Sequence, residues 1–493
     1  MALPPAAPAA SSPKRCSEGA ACWALRPGRA CSLLLLLTLL APQAGRSPAA
    51  AAGQPRSTAG TTIFPPSAPP SAPPSALNPR PIPTRPIPTR SAVRDPAAPA
   101  PASGAPASRL PNPFPGPLPN PLPGPLSGGL PAPDASSPEP ALGVWLTTVD
   151  SAVMHDPAEA QRALAFLRHN GFRRAALPLY TAGVVTWTPA PARNRLAIPT
   201  DPLLPPAATP PDSSIRSGAG PVHGVGPTAS LLAALGRAGL ERVGWFEFGL
   251  MAPVGAPWLV GRDDLLLRDA SGSSLWQESP GLNRVWLNPI LPEVQQLLED
   301  LVVDACTQLP LEAIQFDDHL GYPVRFGYDP ATLAAWRATE AGRRSPSPAP
   351  GEPAWIAWRA EQVTALLERL RAAMNSACPA VRMSVSPNPQ EFSYSNYLAD
   401  WSGWVRRGLV DEVVVQIYRD NLAALGRELA HPSLAAAAQR VPVRIGLLAG
   451  LKSQPKDPGQ LRRELELVQG RGYRGIDLFF YESARRHFSE PGP

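Results

Sequence analysis

The sequence predicts an α/β protein, namely a (β/α)8 TIM-type barrel over residues 141–493 preceded by a disordered, proline-rich N-terminal segment. Two observations lead to this fold class. After residue 142, eight apolar runs rich in β-branched and aromatic residues alternate with helical patterns. Before it, 35 of the first 142 residues are proline, which is excluded from helix interiors and central strands.

The first part of the N-terminal segment has the pattern of a secretory signal. Basic residues precede the apolar run 33–41, and small residues follow it. The run is about ten residues long, whereas a membrane-spanning helix needs roughly 20. We therefore predict a signal peptide or N-terminal anchor at 1–44. The expected location is exported, in the periplasm or cell envelope.

Residues 45–140 are predicted to be a disordered, proline-rich linker. They contain the tandem repeat PIPTR at 81–85 and 86–90. Such low-complexity sequence buries too little apolar surface to fold, and proline-rich chains act as extended spacers. Its arginines would allow an association with an anionic cell envelope. The alternative is a ligand for a proline-recognition domain.

The charge distribution argues against a nucleic-acid partner. The first 142 residues hold 11 basic and 4 acidic side chains, whereas the remainder holds 34 basic and 35 acidic ones. A nucleic-acid-binding domain normally carries a basic face, and the predicted barrel has no excess of positive charge to form one.

The predicted elements follow the order expected of a barrel. Strands are predicted at 143–149, 174–180, 242–248, 312–317, 381–386, 412–418, 441–448 and 475–481. Helices are predicted near 157–169, 228–238, 292–308, 354–377, 394–407, 421–438 and 458–470, and the last helix is short or missing. An open doubly wound sheet is the alternative. That fold usually has a glycine-rich loop after its first strand, and the sequence TTVDSAVM contains no glycine at that place.

Two long loops and two cysteines complete the predicted barrel. The loops at 184–226 and 250–290 are expected to border a substrate cleft. Cys306 and Cys378 lack the CxxC spacing of a zinc site. We predict two buried thiols, and the sequence leaves open whether they form a disulfide.

The predicted catalytic groups lie at the carboxyl ends of the strands, where barrels place their chemistry. Alternation along strand 4 directs Gln315 and Asp317 to the barrel axis, and Ile314 and Phe316 to the helices. Asp317 is the first choice, because an acid on the axis above an apolar interior is partly desolvated and near other acids, so its pKa can be tuned. Glycoside hydrolysis needs two such carboxyl groups. The candidate catalytic residues are Asp317, Asp318, Glu247, Asp420 and Glu482.

The partner of Asp317 stays open, because the other acids have structural alternatives. Asp318 could orient the next turn, and Asp420 could cap a helix or pair with Arg419. Glu247 could form a salt bridge with Arg284 or Lys452.

Polar and aromatic side chains near the strand ends are predicted to bind substrate, because aromatic faces stack on sugars. Core packing is the alternative for Trp276 and Trp286, and it is favoured for Trp245. The candidate substrate-binding residues are Trp145, Asp150, Trp276, Trp286, Asn288, His319, Asn388, Tyr418, Arg419 and Tyr481. One histidine among carboxylates is a weak metal signal, so neither a metal nor a cofactor is predicted.

Nine motifs occur in one order along 141–483: GVWLTTVDSAVM, WFEFGLMAP, WQE, RVWLNP, IQFDDHLG, FGYDP, VSPNPQEFSY, VVQIYRD and FFYES. Together they resemble the glycosyl-hydrolase-like family 10, a bacterial family of exported barrels common in cyanobacteria. The resemblance implies a β/α barrel, action on glycans, and an essential acid at Asp317 or Asp318. A related enterobacterial branch is associated with septal peptidoglycan, so the resemblance also implies a cell-wall substrate.

The sequence thus predicts an exported glycoside hydrolase with a polysaccharide or cell-wall glycan substrate, in which paired carboxylates act on a cell-envelope glycan such as peptidoglycan strands. The alternative is a non-catalytic glycan-binding barrel tethered in the cell envelope. Metal-assisted hydrolysis through Asp317 and His319 is a weaker third hypothesis.

Overall fold

The structure is a computed structural model that describes residues 141–206, 226–279, 282–473 and 475–491. The predicted signal at 1–44 and the linker at 45–140 lie outside these residues. No helix in the described part of the chain is long and apolar enough to cross a membrane.

The described strands and helices alternate as the sequence predicts. The strands are β1 (Ala141–Trp145), β2 (Arg174–Thr181), β3 (Val184–Val185), β4 (Glu241–Phe246), β5 (Met251–Pro253), β6 (Trp276–Ser279), β7 (Leu282–Trp286), β8 (Ala313–Asp317), β9 (Arg382–Ser386), β10 (Glu412–Gln416), β11 (Val443–Leu448) and β12 (Gly475–Phe479). The helices are α1 (Pro157–His169), α2 (Pro227–Arg237), α3 (Pro292–Gln308), α4 (Pro330–Ala338), α5 (Glu340–Arg344), α6 (Pro353–Ala377), α7 (Gln390–Tyr397), α8 (Trp401–Arg406), α9 (Leu422–Leu429), α10 (Pro432–Ala438), α11 (Pro458–Gly470) and α12 (Tyr481–Ala484).

Eight parallel strands close into a barrel, which confirms the predicted fold class. The strand order is β1-β12-β11-β10-β9-β8-β4-β2, and β2 pairs with β1 to complete the ring. Within β8, Ile314 and Phe316 pack in the outer core, and Gln315 bonds to Trp145 inside the barrel. The predicted alternation along this strand is therefore confirmed.

Proline starts many of the helices and also divides one of them. Helix α1 begins at Pro157, and the Asp156 side chain accepts a hydrogen bond from the Ala158 N–H at its N-terminus. The single helix predicted at 421–438 is two helices, because α10 begins at Pro432. A proline has no N–H to donate and crowds the preceding turn, so α9 ends before it.

The prediction of a loop at 250–290 is wrong in part, because this segment contains a second, small sheet. Strands β5, β7 and β6 form an antiparallel sheet with β7 in the middle. Arg284 stands opposite Pro253 on one side and opposite Trp276 on the other. Strands of three to five residues with few alternating positions give little periodic signal.

The prediction of two buried thiols is also wrong, because Cys306 and Cys378 form a disulfide. Cys306 lies in the last turn of α3, and Cys378 follows the last residue of α6. Packing of these two helices brings the Cα atoms to 6.1 Å, within the range a disulfide spans.

Charged side chains fill the amino-terminal end of the barrel interior. Arg174 donates to both carboxylate oxygens of Glu412 at 2.6 and 2.7 Å, and its Nε lies 3.6 Å from Asp477. Arg444 also donates to Asp477. An aromatic layer that includes Trp145, Trp245 and Phe479 packs above them.

Candidate active site

Asp317 is the last residue of β8, and four donors surround its carboxyl group. The Trp245 indole N–H donates to Oδ2 at 3.0 Å. Oδ1 accepts from the Asp318 backbone N–H at 2.8 Å, from the Gln416 amide and, at 3.4 Å, from the Ser386 hydroxyl. These donors hold the carboxyl group in one orientation at the end of the strand.

Burial raises the pKa of Asp317 well above its ordinary value. The charges of Asp318 and Glu247 raise this pKa further, and the bonds from the Asp318 N–H and Gln416 lower it. A carboxylic acid with a raised pKa retains its proton closer to neutral pH, as a general acid must.

Asp318 begins the turn after β8 and is held from two sides. The Asn388 side-chain amide donates to Oδ2 at 2.7 Å, and His319 Nδ1 lies 3.5 Å from Oδ1. Asp318, His319 and Asn388 are all buried. Asp318 is therefore placed to act on Asp317 through its charge, and Asn388 is placed to orient Asp318.

His319 has its ring orientation set by a backbone carbonyl. Its Nδ1 lies 2.7 Å from the Glu247 carbonyl oxygen, which only accepts, so Nδ1 carries the proton. The ring packs near Phe248 and Trp286. In the neutral ring Nε2 is then the basic nitrogen.

Glu247 follows β4, which pairs with β8, and its negative charge raises the pKa of Asp317. The Thr181 hydroxyl at the end of β2 donates to Glu247 Oε2. The side chain of Glu247 is partly exposed, so water and a substrate can reach it. The structure thus brings Glu247, Asp317 and Asp318 together.

The other two predicted acids lie outside this group. Asp420 is exposed, and its backbone oxygen accepts from Gln460. Glu482 accepts from Ser151 at 2.9 Å and lies 3.9 Å from Arg485. Burial raises the pKa of Glu482, but the charged groups that act on it are Arg485, Glu159 and Arg486 rather than Asp317 or Asp318.

Tyr418 follows β10 and has a buried hydroxyl group near the acidic pair. The residue is 3% exposed, and its hydroxyl has no hydrogen-bond partner among the described residues. Burial raises the pKa of Tyr418 well above its ordinary value, and the charges of Asp317 and Asp318 add to this effect. An unpaired buried hydroxyl group is uncommon, and this one lies beside the two acids.

Four predicted substrate-binding residues instead have structural positions in the core. Trp145 bonds to Gln315 inside the barrel, and Trp286 donates to the Gly321 carbonyl oxygen. Asn288 donates to Asp329 and Thr332. Tyr481 packs edge-on against Phe166 of α1. All four residues are buried, and packing or hydrogen bonding in the protein interior explains their positions.

The remaining predicted residues lie toward the surface. Trp276 is partly exposed, with Arg325 over its ring. Arg419 pairs with Glu428 at 2.6 Å. Asp150 lies 3.3 Å from Lys452 and has a φ of 56°, a region that non-glycine residues rarely occupy.

Sequence reasoning missed Gln416 and Ser386 as contacts of Asp317, although both lie at strand ends. Alternation along β10 contains the signal for Gln416: Val413, Val415 and Ile417 pack in the outer core, and Val414 packs inside. The residues that alternate with the outer set therefore face the axis. Trp245 was predicted to pack in the core, and it does so while also donating to Asp317.

Asp317, Asp318 and His319 also place oxygen and nitrogen atoms within 4.8 Å of one another, as metal ligands would be. The N–H groups of Trp245, Gln416 and Asn388 donate to these carboxylates and orient them without an ion. Such dipoles stabilise the carboxylates in their ionised form. No step is therefore assigned to a metal.

A separate cavity of about 340 Å³ lies elsewhere, lined by residues that include Trp187, Asp201 and Thr228. Its lining includes part of the loop 184–226, which was predicted to border the cleft, but none of the individually predicted site residues. The chemistry of the strand ends, rather than cavity size, therefore places the candidate site at Asp317.

Comparison with curated proteins and solved structures gives distant similarities. Glycosyl hydrolase DigH of Escherichia coli K12 is 25% identical over a match of 161 residues that covers 29% of this chain. The chain spans 34% of the length of that relative, and the DigH protein of Shigella flexneri gives the same figures.

Two solved structures are similar over most of the globular part. The glycoside hydrolase domain of PgaB (BpsB) from Bordetella bronchiseptica has a TM-score of 0.48 at 13% identity, covering 72% of this chain and 100% of that domain. The catalytic domain of β-amylase from Paenibacillus polymyxa has a TM-score of 0.47 at 12% identity, covering 71% of this chain and 95% of that one. No functional argument follows from similarity this low.

The family match is much more extensive. The model of a family described as Glycosyl hydrolase-like 10 matches residues 140–460, well over half of the chain. The match includes β1 to β11, and with them Glu247, Asp317, Asp318, Gln416 and Tyr418. The chain belongs to the Glycosyl hydrolase-like 10 family.

Proposed function

We propose that this protein is an exported glycoside hydrolase that cleaves a cell-envelope glycan, with peptidoglycan glycan strands as the leading substrate. The observation that carries the proposal is the Asp317 carboxyl group, whose pKa is raised at a strand end beside the charge of Glu247. A protonated acid next to a second carboxylate is the arrangement that glycoside hydrolysis uses.

In this mechanism Asp317 is the general acid and donates its proton to the leaving oxygen of the glycosidic bond. Glu247 is the second carboxylate, which either attacks the sugar or activates water. It fits this role better than Asp318, because Glu247 is partly exposed and Asp318 is 6% exposed and bonded to Asn388.

The buried Tyr418 hydroxyl group supports a ligand at the same place. A buried hydroxyl without a partner is destabilising by about 1–3 kcal/mol. A sugar oxygen bound beside Asp317 would give this hydroxyl group its missing partner.

Two features support export. The apolar run 33–41 follows basic residues, as in a secretory signal. The disulfide between Cys306 and Cys378 is of a kind that persists in oxidising compartments and is rare in the cytosol. Amino-terminal sequencing of the mature protein from the native host should begin within residues 44–53, whereas an intact Met1 in the cell envelope would contradict a cleaved signal.

The catalytic proposal is tested with purified peptidoglycan sacculi and mass spectrometry of the soluble products. Wild-type protein should release glycan fragments, and Asp317→Asn and Glu247→Gln should each lower the rate by at least about 100-fold. Asp420→Asn is the matched control, since that exposed side chain lies outside the acidic group.

Different results separate the alternatives. Binding of wild-type protein to sacculi without release of fragments would favour the non-catalytic glycan-binding barrel. Release of fragments from another envelope polysaccharide, but not from sacculi, would retain the hydrolase and reject peptidoglycan. Full activity in Asp317→Asn would reject the proposed acid.

A further inference from the structure

The two oxygens of the Asp317 carboxyl group have unequal surroundings. Oδ1 accepts from two N–H donors, the Asp318 backbone and the Gln416 amide, and the Ser386 hydroxyl lies 3.4 Å from both Oδ1 and the Phe316 carbonyl oxygen. Oδ2 accepts from one donor, the Trp245 indole. A carboxyl oxygen has two lone pairs, so one that accepts two N–H bonds has no place for a proton, whereas an oxygen with one donor does.

The direction of the Gln416 amide is determined by its second contact. The same Nε2 atom lies 2.5 Å from the Ser386 carbonyl oxygen, which only accepts, so the nitrogen rather than the amide oxygen must face it. The Gln416 backbone N–H donates to the Pro387 carbonyl oxygen at 2.8 Å, which fixes the residue against β9. A reversed amide would place its oxygen against both Asp317 and Ser386.

We infer that Gln416 is a positioning residue that reserves Oδ1 of Asp317 for hydrogen bonds and so directs the transferable proton to Oδ2. This inference rests on the proposed function for its catalytic consequence, although the position of the proton is a property of the free protein. Oδ2 would then be the atom that delivers the proton to the leaving oxygen.

The charged groups around Asp317 determine how Gln416 affects its titration. Asp318 comes from the same strand end and Glu247 from the end of β4, and both favour the protonated form of Asp317. Tyr418 and His319 are the other titratable groups near this acid. The Gln416 amide opposes the two acids, since a donor to Oδ1 stabilises the carboxylate.

The inference is tested by titrating Asp317 directly in protein labelled with 13C at the aspartate carboxyl groups. The Asp317 signal is assigned by its loss in Asp317→Asn. Gln416→Leu removes the donor and should move the titration midpoint up by about one pH unit, the effect of one hydrogen bond to a charged group. Gln416→Glu adds a third acid and should move it further.

Gln315→Leu is the matched control, because Gln315 is a buried barrel glutamine that bonds to Trp145 and Ser384 rather than to Asp317. Its midpoint should stay at the wild-type value. An unchanged midpoint in both Gln416 variants would overturn the inference. Because the titration needs no substrate, a shifted midpoint in a protein that cleaves no glycan would reject the proposed function alone.

If the hydrolase is active, the rate gives a second measurement. The alkaline limb of the kcat/KM profile should shift to higher pH in Gln416→Leu, by the same amount as the titration midpoint. This is expected because kcat/KM reports the pKa values of the free enzyme. A lower rate with no change in the pH profile would indicate a merely structural role and would contradict the inference.

Discussion

At the scale of single residues, the site depends on a balance around one carboxyl group. Burial, Asp318 and Glu247 favour the protonated form of Asp317, whereas the surrounding N–H groups favour the ionised form. Two of these contributions come from residues distant in sequence, Glu247 and Gln416, and Trp245 also donates to Asp317 from another strand. Strand alternation predicts that Asp317 faces the axis, but it does not identify these contacts, because they depend on the rotation of each side chain.

Asp317 should give a measurable pH dependence of both activity and stability. As a general acid it must be protonated, so kcat/KM should fall as pH rises through its raised pKa. The native state binds this proton more tightly than the unfolded state, whose aspartate pKa is about 3.9. The contribution of Asp317 to the free energy of unfolding should therefore fall as pH rises from about 4 toward the folded pKa.

Urea unfolding of wild type and Asp317→Asn between pH 4 and pH 8 measures the effect. The free energy of unfolding of wild type minus that of the variant should decline with pH across this range. A constant difference would show that the pKa of Asp317 is the same in both states.

Tyr418→Phe should have opposite effects on stability and activity. Removal of the unpaired buried hydroxyl group should raise the free energy of unfolding by about 1 kcal/mol, and loss of a bond to substrate should lower kcat/KM by about 10-fold. Tyr180→Phe is the control, because Tyr180 also has a buried hydroxyl without a partner in the described residues but packs in the outer core. It should stabilise the protein without changing kcat/KM, and equal activity losses in both variants would argue against a substrate contact.

At the scale of secondary-structure elements, the longer strands and helices follow from periodicity, and the boundaries depend on local chemistry. Pro157 and Asp156 predict the start of α1, and Pro432 explains the break between α9 and α10. The sheet of β5, β6 and β7 could not be predicted, because its short strands are stabilised by packing against the barrel. Trp286, for example, packs near His319.

The charged interior of the barrel gives an element-scale prediction. Arg174 at the start of β2 neutralises Glu412 on β10, and burial alone would have raised the pKa of Glu412. Arg174→Met should lower the free energy of unfolding by about 3–5 kcal/mol, since it leaves acids buried without their partner.

The pH dependence of this effect has a definite sign. The Arg174 charge is the main factor that lowers the pKa of Glu412, to about 2. The stability from this pair is therefore present above the unfolded glutamate pKa and is lost as pH falls toward 2. Chemical unfolding of Arg174→Met from pH 7 to pH 3 should show a smaller acid-induced loss than wild type, and Arg242→Met provides a control at a half-exposed pair.

At the scale of the whole molecule, the disulfide joins helices that flank β8, the strand that ends in Asp317. It closes a segment with a sequence separation of 72 residues. The sequence did not decide between thiols and a disulfide, because the distance between two cysteines depends on how α3 packs on α6. The fold class itself was predictable, because eight repeats of strand and helix leave few other arrangements.

Loss of this disulfide should destabilise the barrel. The chain-entropy model gives about 4 kcal/mol for a loop of this length. Cys306→Ala together with Cys378→Ala should therefore unfold at lower urea than oxidised wild type, and reduced wild type should resemble the double variant. Equal midpoints for the oxidised and reduced protein would contradict this expectation.

The pairing of β1 with both β2 and β12 has a consequence for the order in which the protein is made. The ribosome produces β1 early, but its partner Gly475–Phe479 emerges more than 300 residues later. Until then, one edge of the growing sheet has no neighbour, so synthesis alone cannot complete the barrel. The barrel therefore closes only after the last described strand, β12, has emerged.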